Sequence, residues 1–100
     1  MRKPKKQYAI ARPYVPVGEY LAKMRAKAGL TQRAVAEKLG YSSAQFISNF
    51  ECGMSLPPLR KLKLMIEIYD ADPNTLLRLV MAAESALFLA AVKPEKRARA

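Results

Sequence analysis

The sequence contains no histidine and a single cysteine among its 100 residues, and it has few acidic residues. One cysteine excludes a disulfide bond within the chain, and a zinc site needs more cysteine or histidine ligands than this sequence offers. Without histidine or clustered carboxylates there is no acid–base or metal-binding set, so we expect neither an enzyme nor a cofactor. This composition is typical of a reducing, cytoplasmic compartment.

We also expect neither a secretory signal nor a membrane span. No apolar stretch follows the basic start of the chain, as a secretory signal would require. The apolar segment 76–92 is short for a membrane span and includes Arg78 and Glu84, so we expect no contact with a membrane. The length predicts one domain, and because the chain begins with Met we expect a whole small protein.

Positive charge is concentrated at the two ends of the chain. The formal net charge is +10, from 18 Lys and Arg against 8 Asp and Glu. Residues 1–12 carry five bases and no acid, and residues 93–100 carry four bases and one acid. Basic tails of this kind commonly contact nucleic acid, although they could serve only to keep the protein soluble.

The chain divides into a basic extended arm at residues 1–16, a helical domain at 17–92 and a basic tail at 93–100. Pro4, Pro13 and Pro16 exclude a continuous helix in the arm. The domain shows apolar residues at helical spacing and no β-strand signal. The predicted fold class is therefore all-α, with five helices near residues 17–28, 31–39, 43–52, 57–69 and 72–92.

Glycines and small polar residues mark the ends of these predicted helices. Gly29, Gly40 and Gly53 are expected to end the first three. Thr31 is expected to cap the second helix, and Ser42 or Ser43 the third. The prolines at 57 and 58 suit the opening of the fourth helix, and Asp72 with the proline after it starts the fifth.

Apolar spacing predicts which helix faces are buried. The fourth helix is expected to bury Leu59, Leu62, Ile66 and Tyr69. The fifth has two apolar stripes, the first made of Leu76, Val80, Ala83, Leu87 and Ala91, and the second of Leu77, Met81 and Phe88. A helix that is apolar on more than one face is buried on more than one face, so the second stripe needs a partner or a deep position in the fold.

The third predicted helix has an unusual outer face. Its apolar residues, Phe46, Ile47 and Phe50, are expected to face inward. Its other face carries Ser43, Gln45, Ser48 and Asn49, which are short and uncharged, whereas a solvated face usually carries Lys and Glu. Gln and Asn can bond to adenine in a bidentate manner, and Ser can bond several base edges.

The second and third helices together follow the logic of a helix-turn-helix. Ala36 is small where the two helices cross, Gly40 gives the turn its freedom, and Ile47 locks the second helix onto the first. In such a unit the later helix enters the DNA major groove. The chain resembles the lambda-repressor/Cro-type (XRE-like) helix-turn-helix family, through Arg25, "GLTQ" at 29–32, "VAEKLG" at 35–40, "ISNFECG" at 47–53 and Pro57.

The resemblance implies roles for individual residues. The base-reading positions would be Ser43, Ala44, Gln45, Ser48 and Asn49. Gln32 would contact a phosphate, and further phosphate contacts are expected from Ser55, Arg60, Lys61 and the arm residues Arg2, Lys3, Lys5 and Lys6. Arg25 and Glu51 would form an inner salt bridge. The resemblance also has two departures: one extra residue between Gly40 and Ile47, which enlarges the turn, and Cys52 where a phosphate donor is common.

The sequence therefore predicts a sequence-specific DNA-binding transcription regulator of prokaryotic or phage type. It would act on double-stranded DNA as a homodimer, with Leu77, Met81 and Phe88 at the dimer interface. Two other functions stay open. One is a protein-interaction module, such as an antitoxin or a partner-controlled regulator that uses the fifth helix. The other is non-specific packaging of DNA by the basic tails.

Overall fold

The computed structural model describes residues 12–93, which form five α-helices and no strand within that range. The helices are α1 (Val15–Lys27), α2 (Gln32–Leu39), α3 (Gln45–Glu51), α4 (Leu59–Tyr69) and α5 (Pro73–Val92). Helix α1 packs against α3, α4 and α5, and α2 packs against α3 and α4. The all-α fold class is confirmed.

Helix α1 begins two residues earlier than predicted, so Val15 and Pro16 belong to the helix rather than to the arm. Pro16 fits there because the first turn of a helix needs no N–H donor from it. The crossing of α1 over α3 is close at Gly18, where an added Cβ would lie 2.5 Å from the backbone oxygens of Phe50 and Glu51. Only glycine allows this approach.

Helix α2 has the ends that the sequence predicts. The Thr31 side chain accepts a hydrogen bond of 3.0 Å from the Ala34 N–H, and Gly40 adopts a left-handed conformation with φ of 83°. Val35, Ala36 and Leu39 are buried on its inner face. These side chains form the support on which α3 lies.

Helix α3 is shorter than the predicted 43–52. The Ser43 hydroxyl accepts a hydrogen bond of 2.9 Å from the Gln45 N–H, which places residues 43 and 44 in a turn before the helix. Ile47 and Phe50 are buried as predicted, but the expectation for Phe46 was wrong, since its side chain is 43% exposed. The Phe46 ring stacks on Tyr41 instead of entering the core.

Helix α4 is rotated about its axis relative to the predicted orientation. Leu59 is 81% exposed and therefore does not face inward, whereas Met65, which the pattern did not select, is completely buried. Leu62 and Tyr69 are buried as expected, and Ile66 is partly buried. The two prolines precede the helix, and Leu59 occupies its exposed first position.

Helix α5 is packed only along its first half. Asp72 caps it by accepting from the Asn74 N–H and the Thr75 hydroxyl, at 3.1 and 2.7 Å. Leu76 and Ala83 are buried, but every residue from 84 to 93 is exposed. The prediction that Leu87 and Ala91 face the core was therefore wrong, because no residue of α5 after Ala83 is buried in the described chain.

By length and composition alone, α5 is also the one helix among residues 12–93 that could cross a membrane. Its first part also packs against α1. Leu76 and Ala83 are buried, and the Tyr14 hydroxyl, just before α1, donates a hydrogen bond of 2.8 Å to Glu84. This hydrogen bond raises the pKa of Tyr14, with burial and the charge of Glu84 adding to the effect.

Candidate nucleic-acid interface

A cluster of charged and amide side chains joins the ends of α1, α2 and α3. The Arg25 guanidinium donates two hydrogen bonds to the Glu51 carboxylate, from Nε at 2.6 Å and from Nη2 at 3.0 Å. Arg25 Nη1 also donates to the Leu30 carbonyl oxygen at 2.8 Å. The contact between Arg25 and Glu51 that the family resemblance implies is therefore present, and it fixes the end of α3 against α1.

Gln32 belongs to the same cluster. Its Nε2 donates to Glu51 Oε1 at 2.8 Å, so this amide is held by the protein at the start of α2. An amide nitrogen carries two protons, and one remains for a second acceptor. The Ala34 N–H donates to Thr31, but the N–H groups of Gln32 and Arg33 have no acceptor within the helix, so the start of α2 also offers backbone donors to an anion.

Tyr69 lies beneath this cluster in the core. Its hydroxyl is buried and has no hydrogen-bond partner within residues 12–93. The pKa of Tyr69 is raised to about 12, mainly by burial and also by the charge of Glu51, while Arg25 opposes the shift. The neighbouring carboxylate also raises the pKa of Arg25, mainly through their hydrogen bonds. Tyr69 and Arg25 therefore both keep their protons.

The five predicted base-reading residues lie together at the start and along one side of α3. We call Ser43, Ala44, Gln45, Ser48 and Asn49 the reading surface. Ser43 and Gln45 are exposed, and the other three are partly buried. Gln45 Nε2 donates to Asn49 Oδ1 at 2.9 Å, a contact that sequence reasoning did not anticipate although the four-residue spacing allows it.

The predicted phosphate-binding residues of the loop and of α4 have different surroundings. Ser55 and Arg60 are exposed. Lys61 Nζ instead donates to the Leu39 carbonyl oxygen at 2.7 Å and lies 5.1 Å from the centre of the Tyr41 ring. Lys61 thus stabilises the carboxyl end of α2, where a cation is favoured, and two of its three ammonium protons remain for other acceptors.

Two aromatic residues beside the reading surface form a stack that the sequence analysis did not predict. The rings of Tyr41 and Phe46 stack with centres 4.6 Å apart and planes at 14°. Tyr41 also meets the buried Phe50 ring, at 6.0 Å and 60°. The presence of two aromatics five residues apart across the turn was the available signal, but a helical pattern alone assigns Phe46 to the core.

The remaining predicted residues are Cys52, the arm residues and the residues expected at the dimer interface. Cys52 is exposed just after α3, and no group of three or more potential metal ligands occurs in the described part of the chain. The arm residues Arg2, Lys3, Lys5 and Lys6 lie outside the described residues. The residues expected at a dimer interface are each more than half exposed: Leu77 and Met81 at 55% and Phe88 at 65%.

A comparison with known protein families gives a match over most of the described chain. Residues 16–79 match a family described as a helix-turn-helix domain, which spans α1 to the first part of α5. Neither the curated proteins nor the solved structures include a significant match to the chain. The family match covers the reading surface and the cluster of Arg25, Gln32 and Glu51. The chain therefore belongs to the helix-turn-helix domain family, which is consistent with the resemblance of its sequence to the XRE-like family.

Proposed function

We propose that this protein is a sequence-specific DNA-binding transcription regulator of prokaryotic or phage type, acting inside the cell as a homodimer on a palindromic site. The observation that carries the proposal is the chemistry of the reading surface. It presents uncharged hydrogen-bonding groups on the second helix of a helix-turn-helix, the element that enters the major groove in this kind of unit. Net positive charge supplies attraction to DNA of any sequence.

The bond between Gln45 and Asn49 suggests how bases are read. Once Gln45 Nε2 has donated to Asn49 Oδ1, the pair still offers Gln45 Oε1 as an acceptor and Asn49 Nδ2 as a donor. Adenine presents N7 as an acceptor and N6 as a donor in the major groove. The two side chains together therefore complement adenine, and the bond between them reduces the freedom that each loses on binding.

Phosphate contacts set the register of the reading surface. Gln32 keeps one amide proton for an acceptor at the start of α2, and Ser55 and Arg60 are exposed after α3. In this proposal the basic arm adds affinity without choosing the sequence, since phosphate contacts carry no base information. Non-specific packaging of DNA is less well supported, because charge alone would not require an amide-rich reading surface.

Selection from random duplexes, followed by binding measurements, tests base reading. Gln45→Ala and Asn49→Ala should each weaken the selected site by about 1–3 kcal/mol while changing non-specific binding little. Asn74→Ala removes an exposed amide from α5 and serves as the matched control, which should bind as the wild type does. If both reading variants selected the same sites with wild-type affinity, Gln45 and Asn49 would not read bases.

Dimerisation is proposed through the α5 surface, which we define as Leu77, Met81 and Phe88. These side chains are more than half exposed along one side of α5, and large apolar areas are rarely left open on a soluble monomer. A symmetric dimer also doubles the base pairs read and places two reading helices about 34–36 Å apart. The same exposure favours a second candidate, a regulator controlled by a protein partner that binds α5.

A single substitution separates these possibilities. Phe88→Glu should convert a dimer to a monomer in sedimentation experiments at micromolar concentration and abolish tight binding to a palindromic site, with the fold of α1 to α4 retained. Lys93→Glu changes the charge at the same end of α5 outside the α5 surface and should leave the dimer intact. A wild-type protein that is monomeric both alone and on its DNA would contradict the dimer and favour the partner-controlled regulator.

A further inference from the structure

Phe46 is the one aromatic residue of α3 that is exposed, and it follows directly after Gln45 of the reading surface. Its side chain is 43% exposed, whereas Ile47 and Phe50 on the same helix are buried. Single exposed apolar residues are common on protein surfaces. Phe46, however, lies on the helix that the proposed function places in the major groove, where an exposed ring can contact a base.

The Phe46 ring is held in a fixed orientation. One side stacks on Tyr41 with a centre-to-centre distance of 4.6 Å and an interplanar angle of 14°. Tyr41 is itself fixed by the buried Phe50 ring at 6.0 Å and by Lys61 Nζ at 5.1 Å. The exposed part of Phe46 is therefore a rigid apolar surface, and a rigid contact loses little conformational entropy when it binds.

The major groove offers one apolar group to such a surface. Base edges there present hydrogen-bond donors and acceptors, except for the C5-methyl group of thymine. A phenyl ring cannot form the hydrogen bonds that distinguish the other bases. We propose that Phe46, supported by Tyr41, is a specificity-determining residue that contacts a thymine methyl group next to the bases read by Gln45 and Asn49.

This inference rests on the proposed function and adds a base preference to it. Its test removes only the methyl group from the DNA. Sites are selected from random duplexes with the full chain, and each thymine of the best site is then replaced in turn by deoxyuridine. We expect one thymine in each half-site at which deoxyuridine weakens wild-type binding about fourfold, the effect of one methyl-sized group removed from water.

The protein variants assign this effect to Phe46. Phe46→Ala should bind the thymine and deoxyuridine duplexes within about a factor of 1.5 of each other, since its methyl contact is gone. Leu64→Ala removes an apolar side chain of similar exposure, 38%, from α4 and should keep the fourfold difference. Phe46→Gln provides a second variant for the same comparison if the alanine variant loses helix content.

Each outcome bears on one claim. A selected site without thymine, or a deoxyuridine response that is equal in the wild type and in the Phe46 variants, overturns the inference while leaving DNA recognition in place. Failure to enrich any duplex overturns the proposed function, and the inference with it. A fourfold response that is lost only in the Phe46 variants supports both.

Discussion

The ion pair between Arg25 and Glu51 should contribute far more to stability than an exposed pair. The two side chains are 20% and 8% exposed, and Glu51 accepts three hydrogen bonds, the third from Gln32. Arg25→Ala leaves an almost buried carboxylate with one donor of three, so we expect the free energy of unfolding to fall by about 3–5 kcal/mol. Glu51→Ala leaves a partly exposed guanidinium that still donates to Leu30, so we expect a smaller loss of about 2–3 kcal/mol.

The chain supplies its own control for this prediction. Lys63 and Glu67 form a pair of 3.1 Å on α4, but their side chains are 74% and 57% exposed. Truncating either should cost about 0.5 kcal/mol or less, because water screens the charges.

Urea denaturation followed by circular dichroism, applied to both single variants and the double variant of each pair, gives the two coupling energies. We expect about 1–3 kcal/mol for Arg25 with Glu51. A coupling no larger than that of Lys63 with Glu67 would refute the reasoning.

Three further substitutions test separate features of the fold. Gly18→Ala should destabilise the protein by about 1–3 kcal/mol in urea denaturation, although alanine favours helices, because the new Cβ would meet the Phe50 carbonyl oxygen at 2.5 Å; a more stable variant would contradict this. Tyr69→Phe should be neutral or stabilising by up to about 1 kcal/mol, since it removes a buried hydroxyl that lacks a partner among the described residues, and a clear loss would reveal a missed hydrogen bond. Hydrogen bonds from the Thr75 hydroxyl and a backbone N–H lower the pKa of Asp72. The ionised carboxylate therefore contributes fully to stability above the pKa that Asp72 has in the unfolded chain, and this contribution is lost as the pH falls through its lower pKa in the folded protein. Below about pH 4 the melting temperature of the wild type should fall more steeply than that of Asp72→Asn.

The sequence predicts α2 and its ends correctly because each end depends on local chemistry. Thr31 caps through its own side chain, and Gly40 takes a conformation that few other residues tolerate. The start of α3 was predicted less well. Ser43 bonds to the Gln45 N–H from within a turn, and sequence alone does not distinguish that contact from a helix cap.

Contacts outside the helical pattern account for the remaining errors. Phe46 stacks on Tyr41 across the turn instead of entering the core, and Gly18 matters because another helix crosses there. Packing sets the rotation of α4 about its axis, so Met65 is buried and Leu59, which the spacing assigned to the inner face, is exposed. In the candidate site, the family resemblance places Arg25 and Glu51 together, but it does not show that Gln32 joins them.

The buried part of α5 ends at Ala83, so the helical conformation of the residues from there to Val92 depends mainly on the helix itself. The buried half of the helix provides a nucleus, and adding turns to it costs little, but an isolated segment of this length is only marginally helical in water. Its helix content should therefore depend on whether the α5 surface is covered. Ellipticity that rises with protein concentration would then report association directly, so that the end of α5 folds as its surface is occupied.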